Sequence, residues 1–171
     1  AMVSLTVEKP TASAPMVRDT VRSFVEEAAL PKFMEHYEKG TFPAELVKPM
    51  AELGVFGATL HGYECAGLNN VAYGLMMQEL ERCDSGLRSF ASVQGSLVMY
   101  PIFAYGTKAQ KDHWLPRLAS GEAVGCFGLT EPDFGSNPAG MRTRAVREHG
   151  GKWRINGSKM WITNGQIGDL F

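Results

Sequence analysis

An α+β fold is what this sequence predicts: a helical domain followed by the first strands of an antiparallel β domain. Two observations carry that expectation. Up to about residue 121, apolar residues recur near a 3.6 period between helix-boundary signals. From about residue 122 the segments shorten and are separated by Gly-rich turns. The chain therefore divides into a helical part, residues 1–121, and a β part, residues 122–171.

Residues 15–39 form the first predicted helix. Val17, Val21, Phe24, Val25, Ala28 and Leu30 lie near helical spacing, and Gly40 follows the last turn. Pro31 predicts a kink or break there, because proline lacks an N–H and its ring meets the carbonyl four residues back. Residues 43–53 form a second helix, with Pro43 at its start and Gly54 after its end. The Gly-rich stretch 55–69 reads as loop. Residues 70–83 form a third helix, with Asn70 as N-cap. Residues 85–105 form a fourth; its apolar middle (Val93, Leu97, Val98, Met99) predicts burial, and Pro101 predicts a disturbance. Residues 107–119 form a fifth, capped by Thr107 and followed by Gly121. Short strand-like runs follow at 123–129, 142–148, 152–156 and 159–163, with turns at His149-Gly150-Gly151 and Asn156-Gly157. Residues 167–171 read as the start of another strand, which leaves a sheet edge open. The chain thus reads as part of a larger protein.

Composition narrows the function classes. The 171 residues suit one domain or two small ones, and 44% apolar with 20% charged residues is ordinary for a soluble globular protein. A net charge of −1 shows no nucleic-acid footprint. No apolar run is long enough to span a bilayer. Ala1 to Ala14 lacks the pattern of a signal or transit peptide. Cys65, Cys83 and Cys126 are odd in number without a C-x-x-C, which argues against a disulfide framework or zinc site and for a reducing compartment. The four histidines are scattered, so no metal site is read from them.

Chemistry concentrates in two segments. In residues 126–136 an apolar run stops at Thr130-Glu131-Pro132 and turns at Gly135-Ser136. Pro132 ends pairing, Gly135 lets backbone approach a ligand, and Thr130 and Ser136 offer hydroxyls. Such a strand end can hold a polar, planar ligand, and an ordinary β-turn explains the same residues equally well. In residues 79–89 an Asp84-Ser85-Gly86 turn joins two helices and places Arg88 and Ser89 at the start of the second. Arginine there opposes the helix dipole, which calls for an anion. That anion is either a bound carboxylate or a local partner, Asp84 or Glu81.

Leu129-Thr130-Glu131-Pro132 with Gly135-Ser136 resembles the flavin-binding signature of the acyl-CoA dehydrogenases. A second family motif stands at Trp161-Ile162-Thr163-Asn164, preceded by Asn156-Gly157-Ser158-Lys159. One position departs: the family's Asp after Gly-Ser is Asn137 here, which puts a charge at that corner in doubt. The resemblance covers all 171 residues. It implies the family's N-terminal α domain plus the opening strands of its middle β domain, with the C-terminal helical domain missing from this sequence. It implies FAD contacts at Phe127, Leu129, Thr130, Gly135, Ser136, Trp161, Ile162 and Thr163, with Ser136 also near the CoA portion of the substrate.

Within that family, residues 79–89 resemble the glutaryl-CoA dehydrogenases, together with Val71-Ala72-Tyr73-Gly74-Leu75 and Ser96-Leu97-Val98-Met99. In that subgroup the positions of Arg88 and Ser89 bind the substrate's distal carboxylate, and that of Glu81 supports the arginine. The implied activity is oxidative decarboxylation of glutaryl-CoA to crotonyl-CoA in lysine and tryptophan degradation. Electrons pass to an electron-transfer flavoprotein. The implied assembly is a homotetramer, bacterial cytoplasmic or mitochondrial. The family's catalytic base, a Glu of the C-terminal domain, is not in this chain, so no catalytic residue is assigned. The rivals are a dehydrogenase for an uncharged short acyl-CoA, an acyl-CoA oxidase, and a non-catalytic acyl-CoA- or flavin-binding fragment.

Overall fold

A computed structural model describes residues 13–171; the reading of the first residues lies largely outside that range. The helical part is built on α1 (Ser13–Phe24), α2 (Leu30–Lys39), α3 (Val47–Glu52), α4 (Asn70–Cys83), α5 (Ser85–Ser92), α6 (Tyr100–Tyr105) and α7 (Lys108–Ala119). α1 packs along α4, α4 on α5, and α6 on α7. Val21, Val25, Met76, Leu80, Phe90 and Leu118 are among the residues buried in one core.

Neither interior proline breaks its helix. Each is preceded by a wide turn, Val25–Ala29 before Pro31 and Val93–Met99 before Pro101. At their ends Leu30 N–H donates to Val25 O, and Tyr100 N–H to Gly95 O, five residues back. The wider turn accommodates the carbonyl that the proline ring would otherwise strike. It also rotates the apolar stripe. Ala29 takes the inward position while Leu30 and Leu97 stand exposed, against the expectation for both.

The caps agree with the sequence except at one position. Gly40 ends α2 at φ 62°, the left-handed conformation that glycine adopts without strain. Thr107 and Gln110 form a reciprocal capping box on α7. The cap of α4 is Asn69, whose side chain accepts from Ala72 N–H, and not Asn70. The predicted helix 43–53 is a 3-10 turn, Ala44–Leu46, running into α3. Residues 55–69 are a loop only in part. They hold a two-residue hairpin, β1 (His61–Gly62) with β2 (Cys65–Ala66), while Val55, Phe56, Ala58 and Leu60 are core residues.

Of the strands predicted after residue 122, two form. β3 (Arg144–Arg147) pairs antiparallel with β4 (Trp153–Asn156), in register Arg144↔Asn156 to Arg147↔Trp153. Residues 123–129 are not a strand. Val124 N–H donates to the Asp169 side chain and Gly125 N–H to the Gln94 side chain, so side chains occupy the donors a ladder would use. One parallel bridge, Gly125↔Leu170, remains of the strand predicted at 167–171. Residues 159–163 are not a strand either. Trp161 at φ 59° and Asn164 at φ 68° are left-handed and turn the chain back.

Candidate functional site

Asp84 separates α4 from α5 with an extended backbone, and its carboxylate accepts from Gly86 and Leu87 N–H at 2.7 and 3.3 Å. That cap commits Asp84, and Arg88 turns to the other carboxylate. Its Nε donates to Glu81 at 2.7 Å and its Nη1 to Ser92 Oγ at 3.3 Å. Glu81 also accepts from Ser85 Oγ at 2.6 Å. The Ser85 hydroxyl, then Arg88, hold the Glu81 carboxyl below its ordinary range. The pair is the local ion pair anticipated from sequence. A guanidinium has five N–H donors, so Glu81 and Ser92 do not exhaust it.

Ser89, one residue on, opens on a cleft of about 410 Å³. One wall is Gly86, Ser89 and Phe90 of α5; the other is Ile162 to Ile167. Phe42 stacks on Phe90 at 4.8 Å between ring centres and lines the same cleft. The fold thus brings together Ser89, Ile162 and Thr163, which lie more than seventy residues apart. Arg88 is on the same helix but does not line this cleft.

The Leu129-Thr130-Glu131-Pro132 segment lies beside the Trp161 segment, joined by Met160 N–H to Thr130 O at 2.9 Å. Phe127 and Leu129 are exposed, although Val124 and Cys126 just before them are buried. Trp161 is 86% exposed. Gly135 and Ser136 stand out at the turn, with open space where a Gly135 Cβ would be. A second cleft, of about 610 Å³, lies between Gly128, Ile162 and the hairpin residues Ala145 and Ile155. Thr143, also on its lining, has a buried hydroxyl without a hydrogen-bond partner. Met141, Ala145, Ile155, Ile162 and Phe171 make the lining of this cleft mostly apolar, with Thr143 and Lys159 as polar members, which suits a ring system that is apolar on its faces and polar at its rim.

Glu131, the acidic residue of the first motif, does not face a ligand. It is 5% exposed and accepts from Arg142 and Thr143 N–H at 2.7 and 2.9 Å and from Lys159 Nζ at 3.0 Å. Arg142 N–H first, then Thr143 and Lys159, hold its carboxyl at about 2. Glu79 is likewise occupied: 1% exposed, it receives Arg22 Nε and Nη2 and Arg82 Nε. Two further polar residues were not singled out from sequence, Gln94 and Asn164. No local signal marks Gln94, which stands among Ser92, Val93, Gly95 and Ser96. Asn164 was visible only as part of its motif.

Two family models match the chain: the acyl-CoA dehydrogenase N-terminal domain over residues 11–122 and the acyl-CoA dehydrogenase middle domain over residues 126–171. The chain belongs to the acyl-CoA dehydrogenase family. A short-chain specific acyl-CoA dehydrogenase, mitochondrial, from Bos taurus is 38% identical over 150 residues, 87% of this chain and 36% of that protein. A glutaryl-CoA dehydrogenase from Mycobacterium smegmatis, solved in complex with FADH2, superposes with a TM-score of 0.90 at 56% identity. The match covers 94% of this chain and 41% of that one. A glutaryl-coenzyme A dehydrogenase–glutaryl-CoA complex superposes with a TM-score of 0.89 at 34% identity, over 96% of this chain and 43% of that one. This acyl-CoA dehydrogenase chain therefore spans about two-fifths of the length of the relatives it matches. Among the described residues, no helix is long and apolar enough to cross a membrane, and no group of His, Cys, Asp and Glu could hold a metal ion.

Proposed function

We propose that this chain is the N-terminal α domain, residues 1–121, and the opening of the middle domain, residues 122–171, of an FAD-dependent glutaryl-CoA dehydrogenase. The observation that carries the reading is Arg88, braced by Glu81, one residue from Ser89 on the cleft wall opposite Thr163. A guanidinium held by one carboxylate is pre-oriented to take a second in a planar fork. An uncharged acyl chain would leave that donor set unused. The 56% identity to a glutaryl-CoA dehydrogenase supports the same choice, while the short-chain relative keeps an uncharged substrate as the competing reading.

Phe127, Leu129, Thr130, Gly135, Ser136, Trp161, Ile162 and Thr163 are the residues assigned to FAD. When bound, FAD supplies the acceptor for hydride from the acyl β-carbon. The protein's own part in these residues is placement. Arg88 and Ser89 are assigned to the distal carboxylate, Ser89 from the cleft wall and Arg88 from beside it, with Thr163 on the opposite wall, and Ser136 serves the CoA end. Removal of the α-proton needs a free carboxylate. Glu79 and Glu131 are both engaged in ion pairs, so neither is assigned as base. Loss of CO2 to give crotonyl-CoA, transfer of electrons to an electron-transfer flavoprotein and assembly as a homotetramer complete the proposal for the whole protein.

The test is anaerobic bleaching of flavin absorbance in the full-length protein by glutaryl-CoA and by butyryl-CoA. Rapid bleaching by glutaryl-CoA, lost in Arg88→Ala, is expected. Faster bleaching by butyryl-CoA, unchanged in Arg88→Ala, would overturn the assignment and leave a dehydrogenase for an uncharged acyl chain.

A further inference from the structure

Gly125 is gripped through both of the peptide groups that flank its Cα, on one side by the helix that continues α5 and on the other by the segment after Thr163. The Gly125 N–H donates to Gln94 Oε1 at 2.8 Å, and the Gly125 carbonyl accepts from Asn164 Nδ2 at 3.1 Å. Gln94 is fully buried, and its Nε2 donates to Leu118 O at 3.0 Å and Ala123 O at 2.8 Å. Its amide has one workable orientation, since a flip would set its oxygen against two carbonyls. Gln94 sits in the wide turn that continues α5, the helix that carries Ser89. Asn164 follows Thr163 directly and holds φ 68°, a conformation that asparagine tolerates better than most residues. Gly125 fits between them because a side chain there would collide with Val98.

We propose that Gln94 and Asn164 are positioning residues that set the width of the Ser89–Thr163 cleft by holding Gly125, one through its N–H and the other through its carbonyl. α5 supplies one wall and residues 162–167 the other, so the path Gln94–Gly125–Asn164 links the two walls through one residue. Burial strengthens the bonds at the Gln94 end and makes their loss costly. The consequence for catalysis rests on the proposed function: the same tie fixes the gap between the acyl-binding helix and the flavin-contact segment.

The test uses the full-length protein with Gln94→Met, which keeps length and removes the polar atoms, and Asn164→Gly, which keeps the left-handed backbone and deletes the amide. The first readout is hydrogen exchange at Gly165 and Ile167, whose N–H groups bond Ile162 O and Asn164 O. Each variant is expected to speed that exchange about five- to tenfold, while Lys111 in the capped first turn of α7 stays unchanged. The double variant is expected to be no faster than the faster single, because the two bonds lie in series through Gly125 and losing either one opens the tie. Unchanged exchange in either folded variant, or additive effects, would overturn the tie. Asn164→Gly decides the matter if Gln94→Met fails to fold. The second readout is turnover of glutaryl-CoA and the flavin absorption band. A fall in kcat of about tenfold with KM shifted less than about twofold is expected, with a moved flavin band. Coupled exchange with unaltered kcat and flavin band would overturn the positioning role. A wild-type protein that bleaches with no acyl-CoA would sink the proposed function, and the exchange result would still decide the tie.

Discussion

The Lys159 ammonium meets the Glu131 carboxylate at 3.0 Å across 28 residues of sequence and also donates to Leu129 O at 3.0 Å. Together with the Arg142 and Thr143 N–H groups on the same carboxylate, this joins three segments: residues 129–131, the entry to β3 and the approach to Trp161. Both family motifs therefore depend on one buried acid that faces neither proposed ligand.

That acid gives a pH dependence. Glu131 titrates at about 2 in the folded chain against an ordinary 4.5. A lowered folded value contributes stability that is present above the unfolded value and is lost as pH falls toward the folded one. Thermal midpoints are expected to drop between about pH 5 and 2, and Glu131→Gln should lower the neutral-pH midpoint and flatten that slope. Glu79, lowered first by its Arg22 hydrogen bond, acts in the same direction. Parallel melting curves for wild type and Glu131→Gln across this range would refute the assignment.

Glu79 pins α1 to α4. Arg22 reaches it through two nitrogens and Arg82 through a third, while Arg82 also reaches Glu26. Removing the carboxylate leaves two cations facing each other with nothing between them. Breaking a buried pair costs about 3–5 kcal/mol, and the partial exposure of both arginines reduces this to about 2 kcal/mol for Glu79→Ala. Chemical denaturation measures it; a change below about 0.5 kcal/mol would place the pair among ordinary surface contacts.

Gly125→Ala tests close packing at the centre of the cleft tie. The added methyl meets the Val98 side chain, with Cγ2 at 2.8 Å, so Val98 or the chain must shift. Overpacking of this kind costs about 1–3 kcal/mol. Denaturation should report that loss, accompanied by faster exchange at Gly165. Wild-type stability would show that the helix yields freely there.

The α4 cap separates two adjacent asparagines. Asn69 accepts from Ala72 N–H, and Asn70 is an exposed first helical residue. Asn69→Ala is expected to cost about 1 kcal/mol and Asn70→Ala to leave stability almost unchanged. Thermal unfolding of the two variants side by side checks the order; equal losses would contradict the cap.

The helical part was legible because its signals are local. Gly40, Thr107 with Gln110, and the apolar stripe through Val21 and Val25 each act within about one turn. The Arg88–Glu81 pair was legible for the same reason, being seven residues apart across one capped turn. The errors have a physical cause in common. Residues 123–129 and 159–163 have strand-like composition, but strand formation needs a partner, and composition does not say whether side chains will take the ladder's donors first. At Val124 and Gly125 they do. At Pro31 and Pro101, where a kink, break or disturbance is expected, each helix keeps running and a wide turn absorbs the conflict.

Sequence alone therefore determined the order of the helices, the two motifs and the family resemblance they carry, since all of these are written in spacings of a few residues. Only the tertiary structure decided which polar groups meet. Arg22 with Glu79, Gln94 with Gly125 and Lys159 with Glu131 are separated by 57, 31 and 28 residues. A buried donor must find its acceptor, but packing of the whole chain chooses which one lies within 3 Å.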